Sequence, residues 1–303
     1  RLRTLLVDGD PRTTMRDAET FYLERALAPG RAGVSALAPV VVDAEGLVRA
    51  NLAQYDVVVL ANVMNLPSPT INGLRRWVQN GGGLLVSMGG RVEADIANLE
   101  LGDLLAMRLR GPRTAVAESS EGGAPVPAGE AGRELTLGPV PGRHPVTDTL
   151  DTTSEDVLGA TRFRTTELLE GGVESTTILK FSDGSPALVE KPLGRGKVAL
   201  FASSLDRDWN DLPIATVYLP LMRRLVHYLA GDLGEDEAID VLVGQSVSIE
   251  TGDLKNVRVD GPDGFTAQVI AALDGAVEVT PTHPGVYRFS RADGTPDERL
   301  IAK

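Results

Sequence analysis

The chain has 303 residues, 42% hydrophobic and 24% charged, with aromatics at only 4%, the composition of a folded protein too long for one core, so two domains are expected. The formal net charge of −12 argues against nucleic acid as the main partner, because phosphate binding draws on clustered Lys and Arg. With no cysteine, a disulfide framework, a thiolate metal site, an iron–sulfur cluster and a cysteine nucleophile are all excluded.

Leu2 to Val7 reads as a short buried strand that stops at the turn signal Asp8-Gly9-Asp10-Pro11. A helix is expected from about Thr14 to Leu27, with Thr14 as N-cap, Asp17 in its first turn and Gly30 just beyond its end. Val40 to Val42 forms the second strand and Glu45 to Leu52 a short helix. Tyr55 to Leu60 is the third strand, and its run of valines implies burial on both faces, as in a parallel sheet. Ser68-Pro69 starts a helix with Ser68 as N-cap, and Ile71, Leu74, Trp77 and Val78 share one packed face. Asn80-Gly81-Gly82-Gly83 ends it. Leu84 to Val86 is the fourth strand, followed by Ser87-Met88-Gly89-Gly90. This alternation predicts an α/β fold with a flavodoxin-like, doubly wound, mainly parallel sheet.

From about 101 to 150 the pattern loosens into an irregular excursion, punctuated by Gly and Pro over 111–142. Strands are expected at 159–165, 174–181 and 186–191, the last two joined by a turn at Ser182-Asp183-Gly184-Ser185. Another buried strand covers 198–202. A helix runs from Asp211-Leu212-Pro213 to Ala230, with a kink at Pro220. The acidic stretch 231–237 separates an α/β domain, 1–233, from a small β-sandwich, 238–303. Five short strands are expected there, at 245–249, 256–259, 266–270, 276–279 and 285–289. Asp-Gly turns stand at 263–264, 274–275 and 293–294. No stretch offers the ~20 apolar residues of a spanning helix. There is no signal peptide, and the opening at Arg1, close to a strand-like run, reads as a piece of a longer protein.

Five stretches carry a resemblance over about 1–231: Asp8-Gly9-Asp10-Pro11-Arg12, Tyr55 to Asn62, Leu74 to Leu85, Gly194 to Val198 and Ser203 to Pro213. On them the chain resembles a class I glutamine amidotransferase-like domain. The last stretch is similar to the module of bacterial membrane proteins of the aerotolerance (Bat) type, associated with von Willebrand A domains. The resemblance implies an extracytoplasmic module of a membrane-anchored parent, with protein partners, no cofactor and an immunoglobulin-like domain at 238–303. The family's enzymes use a Cys on a strand-to-helix elbow and a later His-x-Glu. Here the elbow reads Ser87-Met88-Gly89, and the His-x-Glu position falls near Ser203-Ser204-Leu205. The expected function is therefore non-catalytic interaction or assembly.

Two competing classes are a divergent hydrolase and a sensor for a polar or sugar-like ligand. A serine nucleophile at Ser87 or Ser203 needs a base, and His144 is the one of the three histidines placed to visit the cleft. Gly194-Arg195-Gly196-Lys197 lacks the spacing of a phosphate-binding loop. Asp206-Arg207-Asp208-Trp209-Asn210-Asp211 follows a parallel strand, where doubly wound sheets bind ligands. Its acids either hold Mg or Ca, through Asp206 and Asp208, or cap the next helix, with Asp211 as N-cap and Arg207 paired to Asp8 or Asp10. The structural alternative is preferred, so no metal is expected. Trp209 either plugs the pocket or anchors a partner, and Trp77 is read as packing. The candidate cleft residues are Asp8, Asp10, Arg12, Asn62, Ser203, Asp206, Arg207, Asp208 and Trp209.

Overall fold

The structure, a computed structural model, describes residues 2–12, 18–28, 37–114, 134–142, 144–148, 158–172, 174–233, 243–250, 256–262, 266–270, 276–283, 287–292 and 301–302. The chain divides into two units, Arg1–Ala230 and Gly231–Lys303.

The first unit is built on β1 (Leu2–Asp8), α1 (Phe21–Leu27), β2 (Leu37–Asp43), α2 (Ala44–Arg49), β3 (Val57–Ala61), α3 (Ser68–Gln79), β4 (Gly83–Ser87) and α4 (Ala94–Glu100). It continues through β5 (Arg108–Thr114), β6 (Thr165–Glu170), β7 (Thr176–Lys180), β8 (Pro186–Leu193), β9 (Gly196–Phe201) and α5 (Tyr218–Leu229). Seven strands form one sheet in the order β2-β1-β3-β4-β9-β8-β7. The first five are parallel, and β8 and β7 add an antiparallel edge. The parallel part has the 2-1-3-4-5 order whose direction reverses between β1 and β3, the point where such sheets open a crevice at the strand carboxyl ends.

Period-two alternation splits the strand residues between two apolar layers. Leu6, Val57, Val59, Leu85, Ala199 and Phe201 pack with Leu23 and Leu27 of α1 and with Leu221, Leu225 and Leu229 of α5. Leu5, Val7, Val58, Leu60, Leu84, Val86 and Leu200 pack on the other side with Leu47 of α2, with Ile71, Leu74 and Val78 of α3, and with Ala97 of α4.

Several expectations are corrected. α1 begins at Phe21, and the expected cap Thr14, with Asp17, lies outside the described residues. Ser68 is the first helical residue, with Pro67 in the cap position and no side-chain cap bond. The strand expected at 159–165 begins at Thr165 and pairs with β5 in a separate two-stranded ribbon. Pro220 makes no mid-helix kink, because α5 starts only at Tyr218. Proline in a first turn loses no helical hydrogen bond.

The second unit holds β10 (Val247–Glu250), β11 (Asn256–Asp260), β12 (Thr266–Ile270), β13 (Ala276–Val279), β14 (Arg288–Arg291) and β15 (Ile301–Ala302). They form two three-stranded antiparallel sheets, β13-β10-β15 and β12-β11-β14. Val257, Val259 and Val277 are buried. The three expected Asp-Gly turns lie outside the described residues.

Candidate functional site

At the carboxyl ends of β1, β3, β4 and β9 the backbone is stitched together beyond the strands. Gly9 N donates to Ala61 O at 2.8 Å, Asn62 N to Ser87 O at 3.2 Å, and Met88 N to Ser203 O at 3.1 Å. Gly9 is required here, because a Cβ on it would lie 1.9 Å from the carbonyl oxygen of Asn62. Asn62 itself adopts a left-handed φ of 53°, tolerated by Asn better than by most residues. Its side chain organises the crevice. Nδ2 donates to Glu19 Oε1 at 2.6 Å, and Oδ1 accepts from Arg91 N at 2.9 Å.

Glu19 and Asp206 are each 1% exposed, and each keeps one oxygen, Glu19 Oε2 and Asp206 Oδ2, without a hydrogen-bond partner among the described residues. Burial pushes the Glu19 carboxyl up to about 8. The negative charges of Asp206, Asp8 and Asp208 push the same way against the Asn62 hydrogen bond. Burial also raises Asp206, against its hydrogen bonds from Ser204 and Asp208 N. Asp8 is buried; its Oδ1 accepts from Asp10 N at 3.0 Å and its Oδ2 from Thr20 Oγ1 at 3.2 Å.

Above this pair, Arg12 spans the mouth of the crevice. Its Nη2 donates to Asp208 Oδ2 at 2.6 Å and its Nε to Asp10 Oδ2 at 3.0 Å. Arg91 Nη1 approaches Asp10 Oδ1 at 3.4 Å. The expected pairing of Arg207 with Asp8 or Asp10 is corrected. Arg207 is half-exposed and its ion-pair partner is Asp211, at 3.8 Å. Asp211 makes no side-chain cap bond; it pairs with Arg164 at 3.0 Å. Among the described residues, no three His, Asp or Glu side chains are grouped to hold a metal ion.

The elbow position is sealed. Met88 is fully buried in the layer containing Val7, Leu60 and Val86. Ser87 Oγ is buried with no hydrogen-bond partner among the described residues. Ser203 Oγ donates to Thr165 O at 3.1 Å and accepts from Asn210 Nδ2 at 2.9 Å. Asn210, fully buried, also donates to Ser204 O and accepts from Leu212 N, so these residues build the 203–213 turn. His144 does not visit the crevice in this structure. Its Nε2 meets Glu190 Oε1 at 3.0 Å and its Nδ1 accepts from Val146 N at 3.2 Å. Trp209 is partly buried against the Met88 layer, and its backbone N–H donates to Ser204 Oγ at 3.3 Å.

The structure thus brings together Asp8, Asp10, Arg12, Asn62, Asp206 and Asp208, and leaves Arg207 outside. Sequence reasoning missed Glu19 and Arg91. Neither stands in a motif, and each is recruited by Asn62 from a distant stretch of chain.

No protein-family model matches the chain, and no curated protein does. Among solved structures it is similar to the cytoplasmic protein STM3548 from Salmonella typhimurium, with a TM-score of 0.55 at 15% identity, over 76% of this chain and 99% of that one. A ThuA-like protein from Parabacteroides merdae aligns with a TM-score of 0.47 at 19% identity, over 78% of this chain and 92% of that one. A cold-adapted β-galactosidase from Rahnella sp. R3 aligns with a TM-score of 0.51 at 13% identity, over 96% of this chain but only 41% of the enzyme. At these identities a likeness shows fold alone. The resemblance to Bat-type membrane-protein modules is corrected: no family model supports it, and the similar structures with a TM-score above 0.5 include the Salmonella typhimurium proteins STM3548 and STM1381 and the β-galactosidase, none of them such a module. No helix among the described residues is long and apolar enough to cross a membrane. What stands is a mixed α/β fold on a seven-stranded, mostly parallel sheet.

Proposed function

We propose that the chain is a non-catalytic module for protein interaction or assembly. Its α/β unit is read as an amidotransferase-like scaffold without its chemistry, and its second unit as an immunoglobulin-like β-sandwich. The observation that carries the reading is Met88. At the turn where this scaffold presents a nucleophile, a thioether is fully buried in the apolar layer. The residues at the crevice mouth are held by the protein's own ion pairs, Arg12 with Asp10 and Asp208.

A protein partner is favoured by the sheet edge. Among the described residues β2 pairs only with β1, and Val40 and Val41 are exposed on it. An open edge with exposed valines is a template for strand addition. Light scattering after size exclusion, with chemical cross-linking, tests the reading. Self-association or capture of a defined partner that Val41→Lys weakens supports it. A monomer that releases ammonia from glutamine, or hydrolyses simple esters, overturns it.

A further inference from the structure

We propose that a second site, at the opposite end of the sheet, binds a neutral carbohydrate. A groove of about 670 Å³ lies where Tyr55 and Asp56 lead into β3 and Asn80 and Gly81 close α3. That is within the ~300–1,000 Å³ range of ligand clefts. This inference is independent of the crevice at the strand carboxyl ends.

Trp77 and Tyr55 supply the walls. Both are partly buried and backed by the apolar layer of α3, so they stand fixed without being covered. Trp77 is held against Gly82, which also lines the groove: a Cβ on Gly82 would lie 2.5 Å from its ring. It is therefore a packing residue, as its helical spacing predicted, and also a groove residue. Aromatic faces of this kind match the C–H faces of a pyranose ring, while the ring hydroxyls need polar partners at the rim.

Those partners are present with bonding capacity to spare. Asn51 uses Oδ1 to accept from Ala53 N at 3.2 Å, which leaves its amide N–H groups. Asp56 uses Oδ2 to accept from Arg3 N at 2.8 Å, which fixes the carboxylate and leaves Oδ1. The Tyr55 hydroxyl and the Asn80 side-chain amide lack a hydrogen-bond partner among the described residues. Asp56 is the one charged side chain among the described groove residues. With a net charge of −12 on the chain, the groove disfavours phosphates and carboxylates. Donors beside a carboxylate select hydroxyl groups, each of which both donates and accepts.

Gly73 provides the test. It lies inside α3 on the groove, and a Cβ there would meet nothing within 4 Å. Gly73→Arg fills the groove and replaces a poor helix former, so folding is kept. The chain has two tryptophans, and in a Trp209→Phe background Trp77 is the sole reporter. The probes are tetrasaccharides of β-1,4-linked glucose, galactose, mannose and xylose, with choline as a cationic control. The expected result is a saturable change in Trp77 emission with at least one tetrasaccharide, at a Kd of about 1 mM or tighter. Gly73→Arg should weaken it at least about tenfold with an unchanged or higher Tm. No response to any tetrasaccharide overturns the proposal. So does undiminished binding in Gly73→Arg, or a response confined to choline.

Discussion

Asn62 Nδ2 donates a 2.6 Å hydrogen bond to Glu19 Oε1, while the other oxygen of Glu19 is buried with no partner among the described residues. One carboxyl is thus half-satisfied beside the Asp206 carboxylate, which also keeps an orphan oxygen. Two buried acids facing that deficit cannot both ionise cheaply. Burial thus favours the protonated form of Glu19.

Stability should follow that proton. Glu19 has an ordinary value of 4.5 and a folded value of about 8. The folded state holds a proton that the unfolded chain releases between those limits. The stabilising contribution is complete below about pH 4.5, is lost as pH rises, and is gone above about pH 8. The slope in between is up to about 1.4 kcal/mol per pH unit, or about 2 kcal/mol between pH 5.5 and 7.5. Urea unfolding at these two pH values, on wild type and Glu19→Gln, checks this. The variant should lose most of the pH dependence; equal slopes would mean that Glu19 ionises freely in the fold.

The left-handed backbone of Asn62 gives a graded test. Asn62→Ala removes both hydrogen bonds and places a Cβ-bearing aliphatic residue at φ 53°. The expected loss is about 2–4 kcal/mol, from unsatisfied buried groups plus backbone strain. Asn62→Gly removes the same bonds without the strain, so it should be about 1 kcal/mol milder than Ala. Urea midpoints at constant m-value rank the three. Equal losses in the two variants would assign the whole effect to the hydrogen bonds.

Much of the scaffold was legible because burial leaves a local trace. The valine run of β3 and the spacing of Ile71, Leu74 and Val78 in α3 each declare their element within a few residues. The site was less legible because its contacts are distant in sequence. Arg12 and Arg207 both sit among aspartates, but the bond to Asp208 crosses 196 positions to reach Arg12. Glu19 is made unusual only by Asn62, 43 positions away. The 203–213 stretch misled for a physical reason. Its conspicuous polar residues build a turn through Asn210, and such a turn serves a fold without specifying a family.

The Arg12 clasp should be weak and salt-sensitive. Arg12, Asp10 and Asp208 are each about a third to a half exposed, and pairs of that kind contribute roughly 0.2–1 kcal/mol. Asp208→Asn should therefore cost less than about 1 kcal/mol, and most of that should vanish in about 1 M salt. The same substitution removes a negative charge felt by Glu19, so it should also shift the pH dependence of stability toward lower pH. A loss that persists in high salt would mean that Asp208 supports the turn and not the clasp.

Met88 separates scaffold from chemistry. It is fully buried among Val7, Leu60 and Val86, so Met88→Ala should cost about 2–4 kcal/mol through the cavity it leaves. Met88→Leu should cost less than about 1.5 kcal/mol, because volume is kept. Met88→Cys places at the elbow the element that amidotransferases use as nucleophile, without the surroundings that would activate it. The introduced thiol would be surrounded by hydrocarbon, and no histidine is hydrogen-bonded to Ser87 or Ser203 beside it. Burial in apolar surroundings raises a thiol's pKa and makes it inert. The thiol should resist modification by a disulfide reagent in native buffer, react promptly in urea, and release no ammonia from glutamine. Ammonia release above wild type would show that the crevice opens to substrate and that only the sulfur nucleophile had been missing.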